Sequence, residues 1–450
     1  MQVTETLSEG LKREYKVSVP AAELDAKLTE RLNTLKTQVR INGFRPGKVP
    51  VEHLKRLYGR SAMAEAIEAT VRDTNSQIVA DKNLRLATEP KVTLPEEQDA
   101  IEQVISGKRD LDYTIALEIV PPIEIGDLKS IKLKKPVADI EDAEVEEALR
   151  RLAEQNRPYA SKAAGEGAAK DDHVTINFTG SIDGKPFEGG TGEDVRVAIG
   201  SGTFIPGFED QLIGAKAGEQ REITATFPTN YLNSTLAGKT AKFDTTIKTV
   251  EAPGNVQIDD EFAKKLGLES LEKLRAAIKD RLTKEHAEAS RAKLKRALLD
   301  ALDKSHKFEA PPSLVGEEFD RVWKSVNTEL ERQGRTFADE ETTEDEARKD
   351  YREIAERRVR LGLLLNEIGE RNKITVSDEE LSRGVIEHAR RYPGQEQRVW
   401  DYYRQNPQAL GALRAPLFEE KVVDFLLELA KVEEQKVSRE DLFKDDDEAA

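Results

Sequence analysis

The sequence predicts an α+β chain of several domains. Three observations predict it. Fourteen of the 28 Gly and six of the fourteen Phe fall between residues 165 and 254, within short alternating runs. After Pro253 the apolar residues repeat at spacings of three and four instead. The first ~112 residues mix both periods. At about 150 residues per domain, 450 residues also suggest about three domains.

In the N-terminal segment (1–112), Val17 and Val19 alternate before Pro20. A helix is expected from about Ala21 to Val39, with Leu24, Leu28, Leu32 and Leu35 on one face. A second helix is expected over Val51 to Lys82. Residues 113–150 read as a strand and linker. Tyr113, Ile115, Leu117 and Ile119 alternate, Pro121, Pro122 and Pro136 punctuate, and a short helix covers Glu141–Glu154.

Residues 151–252 read as an antiparallel β domain. Its runs are Val174, Ile176 and Phe178; Val195, Val197 and Ile199; Ile223, Ala225 and Phe227; and Phe243 to Thr249, with a turn at Asp183-Gly184. Residues 253–450 read as an all-α domain with arms. One stripe is Val315, Phe319, Val322, Trp323, Val326 and Leu330, and Leu294, Leu298, Leu299 and Leu302 form another. Trp323 is expected to pack inside its arm; Trp400, sharing a helix face with Tyr403, reads as packing of the second arm, with a client-facing aromatic patch as the alternative. The end, KDDDEAA from Lys444, reads as a frayed acidic tail.

Composition excludes much chemistry. The chain has no Cys, which removes disulfides, thiolate catalysis and Cys-ligated zinc. The five His are scattered without ligand spacing, so no metal site is expected. Phosphate-loop, serine-hydrolase and zinc-protease signatures are missing, so no nucleotide is expected as partner. No leader and no run near the ~18 apolar residues of a membrane span are seen, which fits the cytoplasm without a membrane partner. Net charge is 70 − 86 = −16, so a basic patch stands out.

One such patch exists. From Lys27 to Arg60 nine basic residues face only Glu30 and Glu52, a balance of +7. Within it, residues 43–50 read GFRPGKVP. Pro46 and Gly47 occupy the central positions of an expected type II turn, which would present Phe44, Arg45 and Lys48 together. Cations around an aromatic suit RNA phosphate plus a protein pocket. The bland alternative is a solvated loop whose Phe44 folds back on its own helices.

GFRPGKVP resembles the ribosome-docking signature of the bacterial trigger factor family, and the resemblance runs along the whole chain. It implies that Gly43, Phe44, Arg45, Pro46, Gly47 and Lys48 dock on the large ribosomal subunit beside the exit tunnel, on protein and adjacent rRNA. Many members carry Lys where this chain has Pro46, which should soften the salt dependence. Three stretches, VTINFTGSIDGKPFEGG, FIPGFEDQLIGAKAGE and FPTNYL, resemble FKBP-type peptidyl-prolyl isomerases. Carried over, the catalytic cleft is Phe178, Phe187, Phe204, Ile205, Phe208, Tyr231 and Phe243. Phe208 stands where many relatives have Trp, and Glu188 where many have Asp. Phe227 reads as core. The family implies an ATP-independent chaperone for nascent and unfolded chains, without cofactors, that can form a homodimer off the ribosome. The alternative is a free multidomain prolyl isomerase whose helices serve dimerisation.

Overall fold

A computed structural model describes residues 1–444 apart from Arg40, Asn42, Gly43, Arg45, Pro46, Gly47, Glu96, Ala164, Thr229, Asn230, Leu232 and Ser234. The acidic tail expected from Lys444 therefore lies, beyond that first residue, outside the described residues.

The chain opens with a hairpin, β1 (Gln2–Glu9) and β2 (Lys12–Val19), followed by α1 (Ala21–Gln38) and α2 (Val51–Asp81). Leu24, Leu28 and Leu32 of α1 are buried, as their four-residue spacing requires. Then come β3 (Lys91–Thr93), α3 (Gln98–Ile105) and β4 (Leu111–Glu118). The sheet order is β1-β2-β4-β3. Tyr15, Val17 and Val19 of β2 and Tyr113, Ile115 and Leu117 of β4 bury one face of that sheet against the helices.

This corrects the domain boundary drawn at residue 112. β4 pairs with β2 from Lys12–Glu118 to Val19–Leu111, so the segment set apart as strand and linker begins inside the N-terminal sheet. Strands β1 and β3 and helix α3 were not anticipated. β1 is almost wholly exposed, so its side chains carry no alternating apolar signal.

The proline-punctuated stretch is not a free linker either. Ile123 and Leu133 are buried in one cluster with Leu298, Leu302, Leu364, Ile368 and Val422 of the C-terminal half. β5 (Lys132–Val137) leads to α4 (Asp142–Gln155), whose Val145, Leu149 and Ala153 pack on Phe262, Leu274 and Leu282. Residues 120–155 thus belong to the helical body.

The β domain comprises β6 (Tyr159–Ser161), β7 (His173–Ile182), β8 (Lys185–Ala198), β9 (Gln220–Thr226) and β10 (Thr240–Pro253). All neighbours are antiparallel: β6-β10-β7-β8, with β9 also on β10. Asp183 (φ 51°) and Gly184 (φ 78°) turn the β7–β8 hairpin. Two positive φ values make the primed turn that matches strand twist. The chain leaves where it entered: the Gly254 amide donates to the Pro158 carbonyl at 2.7 Å.

The C-terminal half contains α5 (Asp260–Lys265), α6 (Leu271–Ser305), α7 (Pro312–Gln333), α8 (Glu344–Arg371), α9 (Asp378–Ala389), α10 (Glu396–Gln405) and α11 (Pro407–Leu429). It is helical as expected, with one addition. β11 (Lys431–Lys436) pairs in parallel with β5, and α12 (Arg439–Phe443) follows. β11 is exposed throughout, so only its backbone pairing defines it.

Trp323 packs within the first arm as expected. Its ring lies 5.7 Å from Phe319, 5.1 Å from Phe337 and 6.1 Å from Tyr351, with Arg348 4.5 Å above it. Trp400 departs from the expectation. It is 42% exposed, and Tyr392 and Tyr402 are exposed as well. Helix α10 buries none of its residues, so no core is available to take the indole.

Candidate functional site

The β domain builds a cleft of about 620 Å³ on one side of its core. Strands β7, β8 and β10 supply Phe178, Phe187 and Phe243. The loop after β8 supplies Phe204, Ile205 and Phe208, and the segment after β9 supplies Tyr231. All seven residues named from sequence line this one cleft.

Their rings interlock. Phe208 is 1% exposed and lies 5.3 Å from Phe243, edge on, and 5.3 Å from Phe204, stacked. Phe178 stands edge on to Phe208 at 6.4 Å and to Phe243 at 5.9 Å. Edge-to-face pairs satisfy the ring quadrupoles and fix the wall's shape. Gly180 makes room for this wall. A Cβ there would lie 2.8 Å from Phe243 and 2.9 Å from Phe187.

Phe227, read from sequence as core, is both core and wall. It is 3% exposed, lines the cleft, and touches Phe187 at 5.8 Å and Tyr231 at 4.7 Å. Strand position alone could not show that the end of β9 opens into the cleft. Tyr231 lines the cleft and is 40% exposed. Glu188 is the one charged side chain among the lining residues described.

Sequence reasoning missed Glu209, which holds the cleft loop. Its buried carboxylate accepts the amides of Gly200 at 2.9 Å, Gly202 at 3.0 Å and Phe204 at 3.1 Å, and the Ser201 hydroxyl at 3.1 Å. Burial works against its charge, but these donors outweigh burial and keep the carboxyl below its ordinary range. The signal was an acidic residue directly after Phe208 in an apolar stretch.

Because its folded value is depressed, Glu209 stabilises the domain above the ordinary carboxylate pKa of about 4.3, and that stability is lost as pH falls through the folded value. Glu209→Ala strands four donors and is expected to destabilise the domain by about 3 kcal/mol at pH 7. Urea melts at pH 7 and pH 3.5 check this. The difference between wild type and variant should shrink at the lower pH.

The basic tip sits between α1 and α2. Phe44 is 38% exposed, and its ring lies 5.2 Å from His53 at the start of α2. It is thus half turned back on its own helix and half presented to solvent. Lys48 is exposed. Gly43, Arg45, Pro46 and Gly47, and with them the expected type II turn, lie outside the described residues. The charge balance of +7 is reduced by tertiary partners. Lys27 pairs with Asp73, Arg31 with Glu65, Lys55 with Asp25 and Arg60 with Glu102. Basic charge with no such carboxylate partner among the described residues is left at Lys36, Lys48 and Arg56.

Among the described residues no cluster of His, Asp and Glu could hold a metal ion, and no helix is long and apolar enough to cross a membrane.

Comparison with known proteins matches three family models in chain order. Residues 1–152 match the bacterial trigger factor protein, 165–248 the FKBP-type peptidyl-prolyl cis-trans isomerase, and 270–428 the bacterial trigger factor C-terminus. Trigger factor of Bradyrhizobium sp. (strain ORS 278) is 61% identical over 450 residues, the whole of both chains. The chain belongs to the bacterial trigger factor family. Trigger factor of Bradyrhizobium diazoefficiens is 62% identical over 447 residues, 99% of each chain. A solved structure of the trigger factor chaperone, concerned with promiscuous substrate recognition in folding and assembly, shares the fold. Its TM-score is 0.53 over 95% of this chain and 99% of that one, at 21% identity. This trigger factor family member is thus a ribosome-associated molecular chaperone with a peptidyl-prolyl isomerase domain.

Proposed function

We propose that the two activities are divided between separate surfaces of the chain. The cleft of Phe178, Phe187, Phe204, Ile205, Phe208, Tyr231 and Phe243 isomerises X–Pro bonds. The tip around Phe44, Arg45 and Lys48, with Gly43, Pro46 and Gly47 shaping it, docks on the large ribosomal subunit beside the exit tunnel. The helical half holds nascent and unfolded polypeptides. The chain works in the cytoplasm without nucleotide or membrane, and off the ribosome it pairs as a homodimer.

The observation that carries the isomerase assignment is the convergence of seven apolar and aromatic residues, from three strands and two loops, on one cleft. Rotation about the X–Pro bond crosses a barrier of roughly 18–20 kcal/mol because the amide is conjugated. The twisted transition state has lost that conjugation and is less polar at the C–N bond. A dry aromatic wall favours it over the planar ground state. Each ~1.4 kcal/mol of that difference is tenfold in rate. The loop held by Glu209 keeps the wall in place while the substrate twists. Tyr231 then donates to the substrate carbonyl.

The holding role is supported by a second cavity of about 710 Å³ among α6, α7, α8 and α11. Leu299, Ile354, Val359 and Leu361 are set there among Lys295, Arg357, Arg358 and Glu318. Apolar patches of modest size within charge bind loosely and release without fuel.

Deletion tests the division. The β domain enters and leaves at neighbouring residues, Pro158 and Gly254, so 159–253 can be replaced by a short linker that leaves α4 whole. That variant should still suppress aggregation of a proline-independent client without ATP. Removing 255–450 should abolish suppression while isomerisation of short peptides persists. Equal suppression by both variants would place the chaperone surface elsewhere.

A further inference from the structure

The N-terminal domain meets the helical body through polar contacts at one end of its sheet. Glu118, the last residue of β4, is 6% exposed. Both its carboxylate oxygens accept the Ser313 amide, at 3.0 and 3.2 Å. Ser313 lies in the first turn of α7, where backbone N–H groups lack helical acceptors and the helix dipole favours an anion. Glu118 therefore caps, from another domain, a helix whose own N-cap residue is Pro311 and offers no side-chain acceptor.

A second fastening lies alongside. Arg85, in the segment after α2, donates to Glu367 and, at 3.2 Å, to Glu370, both on α8. Glu367 is 7% exposed and also accepts Arg371 at 2.7 Å. Arg371 in turn donates to the Ile123 carbonyl at 2.9 Å. The Val120 amide donates to the Arg85 carbonyl at 2.7 Å, which ties this corner to the chain leaving β4. The β1–β2 turn completes the contact. Glu309 lies beside Gly10, 3.4 Å from where a Cβ would stand.

Among the described residues this joint carries no shared apolar core, although Leu11 beside Gly10 and Ala310 beside Glu309 are buried next to its polar contacts. The buried cluster of the N-terminal domain shares no described member with the clusters of the helical body. Fastenings made of N–H, guanidinium and carboxylate groups are replaced by water at small net cost, whereas a shared apolar core is not. Small polar contacts between domains allow relative motion.

We infer that this joint is a polar hinge: Glu118 and Arg85 set the angle between the N-terminal domain and the base of α7 and α8, and their release lets the domain swing while both sides stay folded. The hinge fixes how the client-holding helices are presented relative to the tip, whatever the tip binds. Arg85 is half exposed, so its pairs are weakened by salt. The Glu118 contact is buried and is screened less.

The chain's lack of Cys makes a distance test direct. Ser61→Cys on α2 and Ser325→Cys on α7, both exposed positions, carry donor and acceptor dyes on the full chain. The parent should give one narrow distance distribution. In Arg85→Ala with Glu118→Gln the width should at least double, with unchanged far-ultraviolet circular dichroism. Salt at 1 M should broaden the parent toward the profile of Arg85→Ala alone. If the double variant fails to fold, Arg85→Ala alone carries the test and should broaden the distribution about 1.5-fold. A folded variant with the parent's distribution would overturn the hinge.

Discussion

Replacing Phe44, Arg45 and Lys48 together by Ala is expected to abolish co-sedimentation with 70S ribosomes and to leave folding intact. Phe44 contributes an aromatic face that is 38% exposed, and its inner edge rests on His53. Lys48 is exposed and has no ion-pair partner among the described residues. Neither side chain is needed by the N-terminal core, whose buried members lie on β2, β4, α1 and α2 and at Val49 and Val104. Four of the nine basic residues around the tip are already paired within the domain. The docking charge is therefore concentrated in fewer groups than composition suggests. Removing two cations should flatten the slope of log affinity against log salt by about one to two units. Pelleting of the triple variant at the wild-type level would end the docking assignment. Arg31→Ala is the internal control. Its guanidinium is held by Glu65, so ribosome binding should change by less than about threefold, the scale of an exposed ion pair.

Phe208→Ala should lower kcat/KM for X–Pro peptides by more than tenfold. The ring is 1% exposed and touches three others of the wall. On the proposed mechanism its loss removes part of the wall against which the twisted bond packs, and it leaves a cavity. The same truncation is expected to destabilise the β domain by about 3–5 kcal/mol. Phe208→Leu separates the two effects, since it keeps most of the apolar volume and should cost under about 1.5 kcal/mol in stability. If aromatic shape matters for the twist, the Leu variant still loses activity. The rate should be nearly flat from pH 6 to 8, because the wall that favours the twist is Phe and Ile. Protease-free coupled assays and stopped-flow traces would read this. A bell-shaped profile would contradict the mechanism.

What the sequence determined by itself is what local periodicity encodes. Helices α1 and α2, strands β7 to β10, the Asp183-Gly184 turn and the stripe around Trp323 follow from spacings of two, three and four. A side chain's face is set by its neighbours along the chain. The seven cleft residues came from the resemblance to FKBP-type isomerases and from no period along the chain, and the structure sets all seven around one cleft. Only the tertiary structure decided the rest. Strand β11 has no apolar alternation and exists through its backbone pairing with β5, about 300 residues earlier in the chain. β4 belongs to the N-terminal sheet because β2 lies beside it, although a hundred residues separate them. Arg31, Arg60 and Glu118 look like ordinary surface charges until their partners at Glu65, Glu102 and Ser313 are placed. Phe227 and Trp400 went the other way: an apolar residue at a strand end opened into a cleft, and an indole on a helix without buried residues stayed at the surface. The physical reason is common to all of these. Backbone pairing and charge compensation depend on distance in space, and no period along the chain records which distant segment will arrive.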